Sequence, residues 1–231
     1  MAEKKPTYEQ LIHAKQHLYK SSLYNTAKYL CNFKDVTRRT HGEMITTLEG
    51  STKRRLICVP RGCLKSSLGC VAYPIWRLIN NPNLRILIDS EVYTNSANFL
   101  REIKAIFKSE EFVSTFGGDP QGEIWKEGEI ALKGRTVVKK EANITCSGVG
   151  AIKVGQHYDE IVGDDYNSNK NSLTPEGKKK IIDHFKLNMS ILENDGIYNI
   201  IGTRYATDDI IGHIIASELS DEERALLPKG V

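Results

Sequence analysis

One stretch, residues 56–68, constrains this chain more than any other. Its sequence, LICVPRGCLKSSL, is a short apolar run, then a basic turn with one glycine, then a lysine followed by two hydroxyl side chains. Such a pattern predicts a β-strand that leads through a loop into a helix. Loops of this kind bind polyphosphates through backbone N–H groups, a lysine and a hydroxyl that holds Mg²⁺. The predicted loop consists of Pro60, Arg61, Gly62, Cys63, Leu64, Lys65, Ser66 and Ser67.

The stretch does not match the strict phosphate-loop pattern GxxxxGK[ST]. Aligned on Lys65, that pattern requires glycine at positions 59 and 64, where this chain has Val59 and Leu64, and only Gly62 lies within the loop. A basic surface turn between a strand and a helix is therefore the alternative interpretation. The rest of the chain must decide between the two.

Length and composition favour a single α/β domain. The chain has 231 residues, of which 40% are hydrophobic and 26% charged, as in an ordinary globular protein. No apolar run approaches the roughly 18 residues of a membrane span, and the N-terminus lacks the apolar segment of a signal peptide. We therefore expect a cytoplasmic protein with no membrane partner. The five cysteines show no CxxC spacing, which predicts reduced thiols rather than disulfides or a zinc site.

Alternation of strands and helices predicts a mostly parallel central sheet flanked by helices. Residues 7–33 predict two helices, and residues 117–147 predict a β-hairpin that feeds back into the sheet. The other predicted strands span residues 56–59, 85–88, 158–162 and 197–201, and the other predicted helices span residues 40–50, 65–78, 94–107, 175–192 and 208–219.

Polar or charged residues follow all four of these strands. They are the loop at 60–67, residues 89–91, the adjacent carboxylates Asp164 and Asp165, and Thr203 with Arg204. Ligands of open α/β sheets bind outside the carboxyl ends of the strands. We therefore expect one crevice that binds ATP and Mg²⁺.

Phosphoryl transfer depends mainly on positioning and charge stabilisation, which suggests a role for each side chain in the crevice. Hydrolysis requires a second carboxylate beside the metal-binding one, to polarise the attacking water, whereas nucleotide binding alone does not. We assign Lys65 to the β- and γ-phosphates, Ser66 and Asp164 to Mg²⁺, Asp165 to the attacking water, Thr203 to sensing of the γ-phosphate and Arg61 to the developing charge.

Three segments resemble the large terminase subunits of tailed bacteriophages. PRGCLKSS resembles their deviant Walker A, SGVGAIKVGQHYDEIVGDD resembles the segment that leads into their Walker B, and IIGTRYATDDIIG resembles their coupling motif. The order and spacing of the three agree from about residue 40 to residue 215. The resemblance identifies Asp164 as the Walker B magnesium residue and Thr203 as part of the coupling element.

The resemblance implies an ATP-hydrolysing motor with the additional-strand, RecA-like fold of P-loop NTPases. Such motors assemble as a homo-oligomeric ring, expected to be a pentamer, on the portal protein of a procapsid in the host cell cytoplasm. They pump double-stranded DNA inward, and a small terminase subunit delivers that DNA.

Two assignments remain open within this resemblance. Some members of the family use a glutamate beyond the first acidic pair, so Glu176 is the alternative to Asp165 as the catalytic carboxylate. Ring ATPases also take an arginine from the neighbouring subunit, for which Arg101 is the candidate, and an ordinary exposed helix arginine is the alternative.

The resemblance also divides the chain into segments. Residues 1–50 form a helical segment packed on the ATPase core, residues 51–225 form the core, and residues 226–231 begin a linker to a nuclease domain, so we expect no DNA cleavage from this chain. A helicase-like DNA translocase and a nucleotide-dependent DNA-binding scaffold without turnover are the alternative functions.

Overall fold

A computed structural model describes residues 5–151, 155–168, 171–218, 220 and 222. The described strands are β1 (Arg54–Cys58), β2 (Ile86–Ser90), β3 (Gln121–Trp125), β4 (Glu129–Leu132), β5 (Ile144–Gly148), β6 (Tyr158–Asp164) and β7 (Leu192–Gly202). The described α-helices are α1 (Tyr8–Ser21), α2 (Leu23–Asn25), α3 (Arg38–Glu49), α4 (Tyr73–Asn80), α5 (Tyr93–Phe107), α6 (Glu110–Phe116), α7 (Pro175–Ile191) and α8 (Ile210–Glu218). There are also two π-helical segments: Thr26–Leu30 continues α2, and Ser67–Ala72 precedes α4.

The strands form one sheet in the order β1-β7-β6-β2-β5-β4-β3. Strands β1, β7, β6, β2 and β5 are parallel, whereas β4 and β3 form an antiparallel hairpin at one edge. The predicted α/β fold, the mostly parallel sheet and the hairpin are therefore confirmed. Cys58 lies opposite Gly202, and Asp164 lies opposite both Ile201 and Ser90, so the carboxyl ends of four strands form one row.

Helices cover both faces of the sheet because successive side chains of each strand point to opposite faces. On β6, Val162 belongs to the core on one face and Ile161 to the core on the other. The first core also contains side chains from α1, α3, α4 and α5, whereas the second is completed by α7 and α8. The strand carboxyl ends therefore emerge at the edge of a three-layer structure.

The described part of the predicted helical segment 1–50 shares its core with the sheet. Leu23 and Leu48 are fully buried in the same cluster as Ile57 of β1. Helix α1 begins with a capping box formed by Thr7 and Gln10. None of the described helices has the length and apolar character needed to cross a membrane. The predicted linker, residues 226–231, lies outside the described residues.

Several predicted element boundaries are wrong. Strand β2 extends to Ser90, so residues 89 and 90 belong to the strand rather than to the polar turn after it. Strand β7 begins at Leu192, directly after α7, where Leu192 lies opposite Tyr158 of β6, and the register is irregular until Ile197 lies opposite Glu160. Helix α6, which was not predicted, is capped by Ser109 and ends at the left-handed Gly117.

Candidate functional site

The loop after β1 has the backbone of an anion-binding turn. Gly62 has φ +82° and Leu64 has φ +50°, so two positions in the loop are left-handed. Among the described residues, the backbone N–H groups of Gly62, Cys63 and Leu64 have no hydrogen-bond acceptor. Residues 65 and 66 are already helical, and the N–H of Leu68 donates to the carbonyl of Leu64 at 2.9 Å. Free N–H groups in front of a helix N-terminus favour a bound phosphate.

Leu64 has a side chain where the strict motif has glycine, but its backbone adopts a conformation that is typical of glycine. Its φ of +50° is one that glycine adopts freely and that costs other residues about 1–2 kcal/mol. The half-buried side chain packs against the main hydrophobic core. Packing on the core therefore offsets the strain of the left-handed backbone.

Ser66 and Asp164 face each other across the crevice. The Ser66 hydroxyl donates to both carboxylate oxygens of Asp164, at 2.8 and 2.9 Å. Asp164 is only 5% exposed, and burial raises the pKa of its carboxyl group from 3.8 to about 7 although the hydrogen bond from Ser66 lowers it. Asp165 raises the same pKa further. A buried carboxylate in this position is favoured in its ionised form only when a cation binds it.

Asp165 leaves the strand through a left-handed turn and meets the loop lysine. Its φ is +40°, and its N–H donates to the carbonyl of Ile201 at 2.9 Å. One carboxylate oxygen lies 3.0 Å from Nζ of Lys65, and the other accepts from the N–H of Thr203 at 3.1 Å. The Asp165 side chain remains 36% exposed, whereas Lys65 is buried. Solvent therefore reaches the carboxylate that contacts the lysine.

Thr203 completes the connection between the neighbouring strands. It follows the last residue of β7, and its hydroxyl donates to the carbonyl of Val59 at 3.4 Å. Thr203 therefore contacts both Val59, at the start of the loop after β1, and Asp165. The structure brings together five residues that sequence assigned to one crevice: Lys65, Ser66, Asp164, Asp165 and Thr203.

The donor set fits a magnesium ion that also binds a polyphosphate. No group of three or more His, Cys, Asp and Glu side chains within the described ranges is arranged to hold a metal. Mg²⁺ does not require such a group, because it binds through one or two protein oxygens, waters and substrate phosphates. Ser66 and Asp164 supply such oxygens. Ser90, opposite Asp164 in the register, has a buried hydroxyl with no partner among the described residues.

Three further predicted residues lie outside the cluster. The exposed guanidinium of Arg61 lies over the ring of Tyr205, 5.4 Å from its centroid, and also contacts the Tyr205 hydroxyl. Glu176, in the first turn of α7, and Arg101, on α5, are both exposed and have no ion pair with a described residue. Glu176 lines a surface groove with Lys179 and other residues of α7.

The loop after β7 contains residues that the sequence analysis did not assign to the site. Asp209 is buried and accepts hydrogen bonds from the N–H groups of Tyr205 (2.8 Å) and Ala206 (3.2 Å), and from the Asn167 amide (2.9 Å). It also accepts from the N–H of Gly212 at 3.0 Å, as an N-cap does. The sequence signal that could have identified this role is an acidic residue near the predicted start of the last helix, three positions before Gly212. Asp209 therefore ties the loop after β7 to the loop after Asp165.

The chain matches no protein-family model, and a search among curated proteins found no similar sequence.

Proposed function

We propose that this chain is a Mg²⁺-dependent ATPase of the P-loop class. The observation that carries the proposal is the connected cluster at the strand ends, in which Lys65 and Ser66 of the loop each contact one carboxylate of an adjacent acidic pair. The strand order also supports it, since β7 is an additional strand between the loop strand β1 and the acidic strand β6. A basic surface turn would not account for a buried lysine and a buried carboxylate.

The loop and strand ends would divide the work of hydrolysis. Free N–H groups of the loop and the helix N-terminus would bind the phosphates, and Ser66 with Asp164 would hold Mg²⁺, which neutralises phosphate charge when bound. Lys65, now 3.0 Å from Asp165, would turn to the β- and γ-phosphates. This exchange releases the Asp165 carboxylate to accept a proton from the attacking water.

Asp165 is favoured over Glu176 as the catalytic carboxylate. Asp165 contacts Lys65 and Thr203, whereas Glu176 contacts neither. Thr203 would then report the state of the γ-phosphate to β7. Arg61 would reach the phosphates only after leaving Tyr205.

The resemblance of three segments to large terminase subunits extends the proposal to a DNA-packaging motor. Those segments correspond to the loop after β1, the stretch from the end of β5 to the end of β6, and the end of β7 with the start of α8. In this proposal the chain acts in the host cell cytoplasm as a homo-oligomeric ring, a pentamer, on the portal protein of a procapsid. Double-stranded DNA and a small terminase subunit are its partners, and Arg101 acts on the neighbouring subunit.

Phosphate release from ATP and Mg²⁺ tests the enzymatic part of the proposal. Lys65→Ala and Asp164→Ala should each lower turnover by about 100-fold or more, because each removes a group that stabilises transferred charge. Lys53→Ala, which removes an exposed lysine beside β1, should leave turnover unchanged. ATP binding without turnover, with and without DNA, would instead support a scaffold.

Two further variants test the finer assignments. Asp165→Asn should abolish turnover and retain nucleotide binding, whereas Glu176→Gln should retain both. DNA packaging into procapsids distinguishes a packaging motor from a helicase-like translocase, which would separate strands without a portal. Full turnover by the Asp165→Asn variant would refute the assignment of the catalytic carboxylate.

A further inference from the structure

A buried polar cluster lies on the other side of the sheet from Ser66 and takes no part in the proposed chemistry. We call it the Asp89 network. Its members come from β2, the loop after β6, α7 and β7, and each is at most 5% exposed: Asp89, Tyr166, His184, Asn188 and Tyr198. Polar side chains are rarely buried in such numbers unless their hydrogen bonds fix a specific structure.

One carboxylate oxygen organises the network. Oδ2 of Asp89 accepts from the Tyr166 hydroxyl at 2.8 Å and from the Asn188 amide at 2.7 Å, and lies 2.6 Å from Nε2 of His184. The Tyr166 and Tyr198 hydroxyls lie 3.0 Å apart, and the Asn188 amide is within 3.2 Å of both. Burial and the charge of Asp89 raise the pKa of Tyr166 well above its usual range, so its hydroxyl remains a donor.

The Tyr166 ring connects the Asp89 network to the candidate site, because it packs against the backbone next to Asp164 and Asp165. The chain reverses between Asp164 and Tyr166, so that the ring lies directly beneath Gly163. A Cβ atom at position 163 would lie 2.4 Å from the Tyr166 hydroxyl and 2.5 Å from its ring carbons. Asp165, with its left-handed φ of +40°, is the residue that makes this reversal.

We propose that Tyr166 is a positioning residue for Asp165, an inference that rests on the proposed ATPase function. The left-handed backbone of Asp165 costs some free energy even though aspartate tolerates it better than most residues, so the surrounding structure must hold the turn on both sides. The parallel strand β6 provides one, and the hydrogen bond from Tyr166 to Asp89 provides the other. Held in this way, the Asp165 carboxylate stays directed toward Lys65 and Thr203, where the attacking water would be activated.

Tyr166→Phe tests the inference because it removes one hydroxyl and keeps the ring. Tyr158→Phe is the matched control: Tyr158 is also buried, lies at the opposite end of β6 from Asp165, and its hydroxyl donates to Oε1 of Gln156 at 2.6 Å. Three quantities are measured for each variant: turnover of ATP, the dissociation constant of a fluorescent ATP analogue, and hydrogen exchange of the Asp165 and Thr203 amides.

We expect Tyr166→Phe to lower turnover by about tenfold or more, because misplacing a catalytic group by a fraction of an ångström is costly. Nucleotide affinity should change by less than about twofold, because Lys65 and the loop are untouched. The Asp165 and Thr203 amides should exchange faster, because they donate to Ile201 and to the Asp165 carboxylate. Tyr158→Phe should leave all three quantities at the wild-type level.

Unchanged exchange at both amides in Tyr166→Phe would overturn the inference, as would unchanged turnover in an active enzyme. A fall in turnover matched by an equal fall in Tyr158→Phe would also overturn it, since the effect would then be one of general stability. A wild-type chain without ATPase activity would refute the proposed function alone. In that case the amide exchange decides by itself whether Tyr166 positions Asp165.

Discussion

Replacing Asp164 by asparagine is expected to stabilise the nucleotide-free protein while abolishing hydrolysis. The Asp164 carboxylate is 5% exposed, and its strongest partner is the neutral hydroxyl of Ser66. The nearby Lys65 is paired with Asp165 instead. Folding therefore buries a negative charge, which is unfavourable unless a cation such as the proposed Mg²⁺ binds it.

The magnitude follows from the pKa of the Asp164 carboxyl group, which is raised from 3.8 to about 7 in the folded protein. Each pKa unit corresponds to about 1.4 kcal/mol, so the ionised carboxylate lowers the free energy of unfolding by about 4 kcal/mol. Because the folded pKa is the higher one, this loss of stability is absent below pH 3.8, grows as the pH rises towards 7, and is constant above. It amounts to about 2 kcal/mol at pH 5.

Urea unfolding at pH 5 and pH 8 measures the effect. Asp164→Asn should raise the free energy of unfolding at both pH values, and by about 2–3 kcal/mol more at pH 8 than at pH 5. Glu160→Gln is the control, since Glu160 is also buried on β6 but accepts from Nε of Arg77 at 2.6 Å. That variant should lose about 3 kcal/mol, because it leaves a guanidinium without its partner. A stability gain of equal size at the two pH values, or none, would refute the reasoning.

Substitutions at three other positions test separate parts of the structure by urea unfolding. Leu64→Gly should change the free energy of unfolding by less than about 1 kcal/mol, because relief of the left-handed strain offsets the lost packing, whereas Leu64→Val should cost about 2 kcal/mol. Gly163→Ala should cost about 2–3 kcal/mol, since the new methyl group would overlap the Tyr166 ring. Burial raises the pKa of Glu111, but hydrogen bonds from Tyr19 and a lysine outweigh it and lower the pKa overall. Glu111→Gln should therefore cost about 1 kcal/mol at pH 7, discounted for solvent exposure, and progressively less as the pH falls through the folded pKa.

Much of the fold could be predicted because the chain alternates apolar strands with amphipathic helices. The parallel sheet, the two N-terminal helices and the edge hairpin all follow from that pattern. The position of β7 between β1 and β6 could not be read from hydrophobic periodicity, because a right-handed crossover can place a returning strand at several positions. The start of β7, residues 192–196, has no strand pattern in sequence, and of these residues only Leu192 has a register partner on β6.

Within the site, the sequence predicted the residues that end strands and missed those that support them. Asp89 was predicted to follow β2 and to line the crevice, which is wrong: it lies within the strand and contacts α7 on the opposite face. Because Asp89 lies within the strand rather than after it, its side chain points to one face of the sheet, the face opposite to that of Ile88. His184 and Asn188 appear in sequence as ordinary positions of an amphipathic helix, so nothing indicated their contact with Asp89.

The two adjacent carboxylates acquire different properties because only one of them belongs to the strand. Asp164, the last residue of β6, is buried against the Ser66 hydroxyl, which suits it to a metal ion. Asp165 leaves the sheet through a left-handed turn, stays exposed to water and pairs with Lys65. That ion pair joins the proposed phosphate-binding lysine to the proposed catalytic base. In the proposed reaction, the phosphate oxygens of ATP would attract Lys65 and so release the Asp165 carboxylate from its ion pair. Binding of ATP would therefore activate its own hydrolysis. Thr203 would stay in contact with the Asp165 carboxylate throughout, through its backbone N–H.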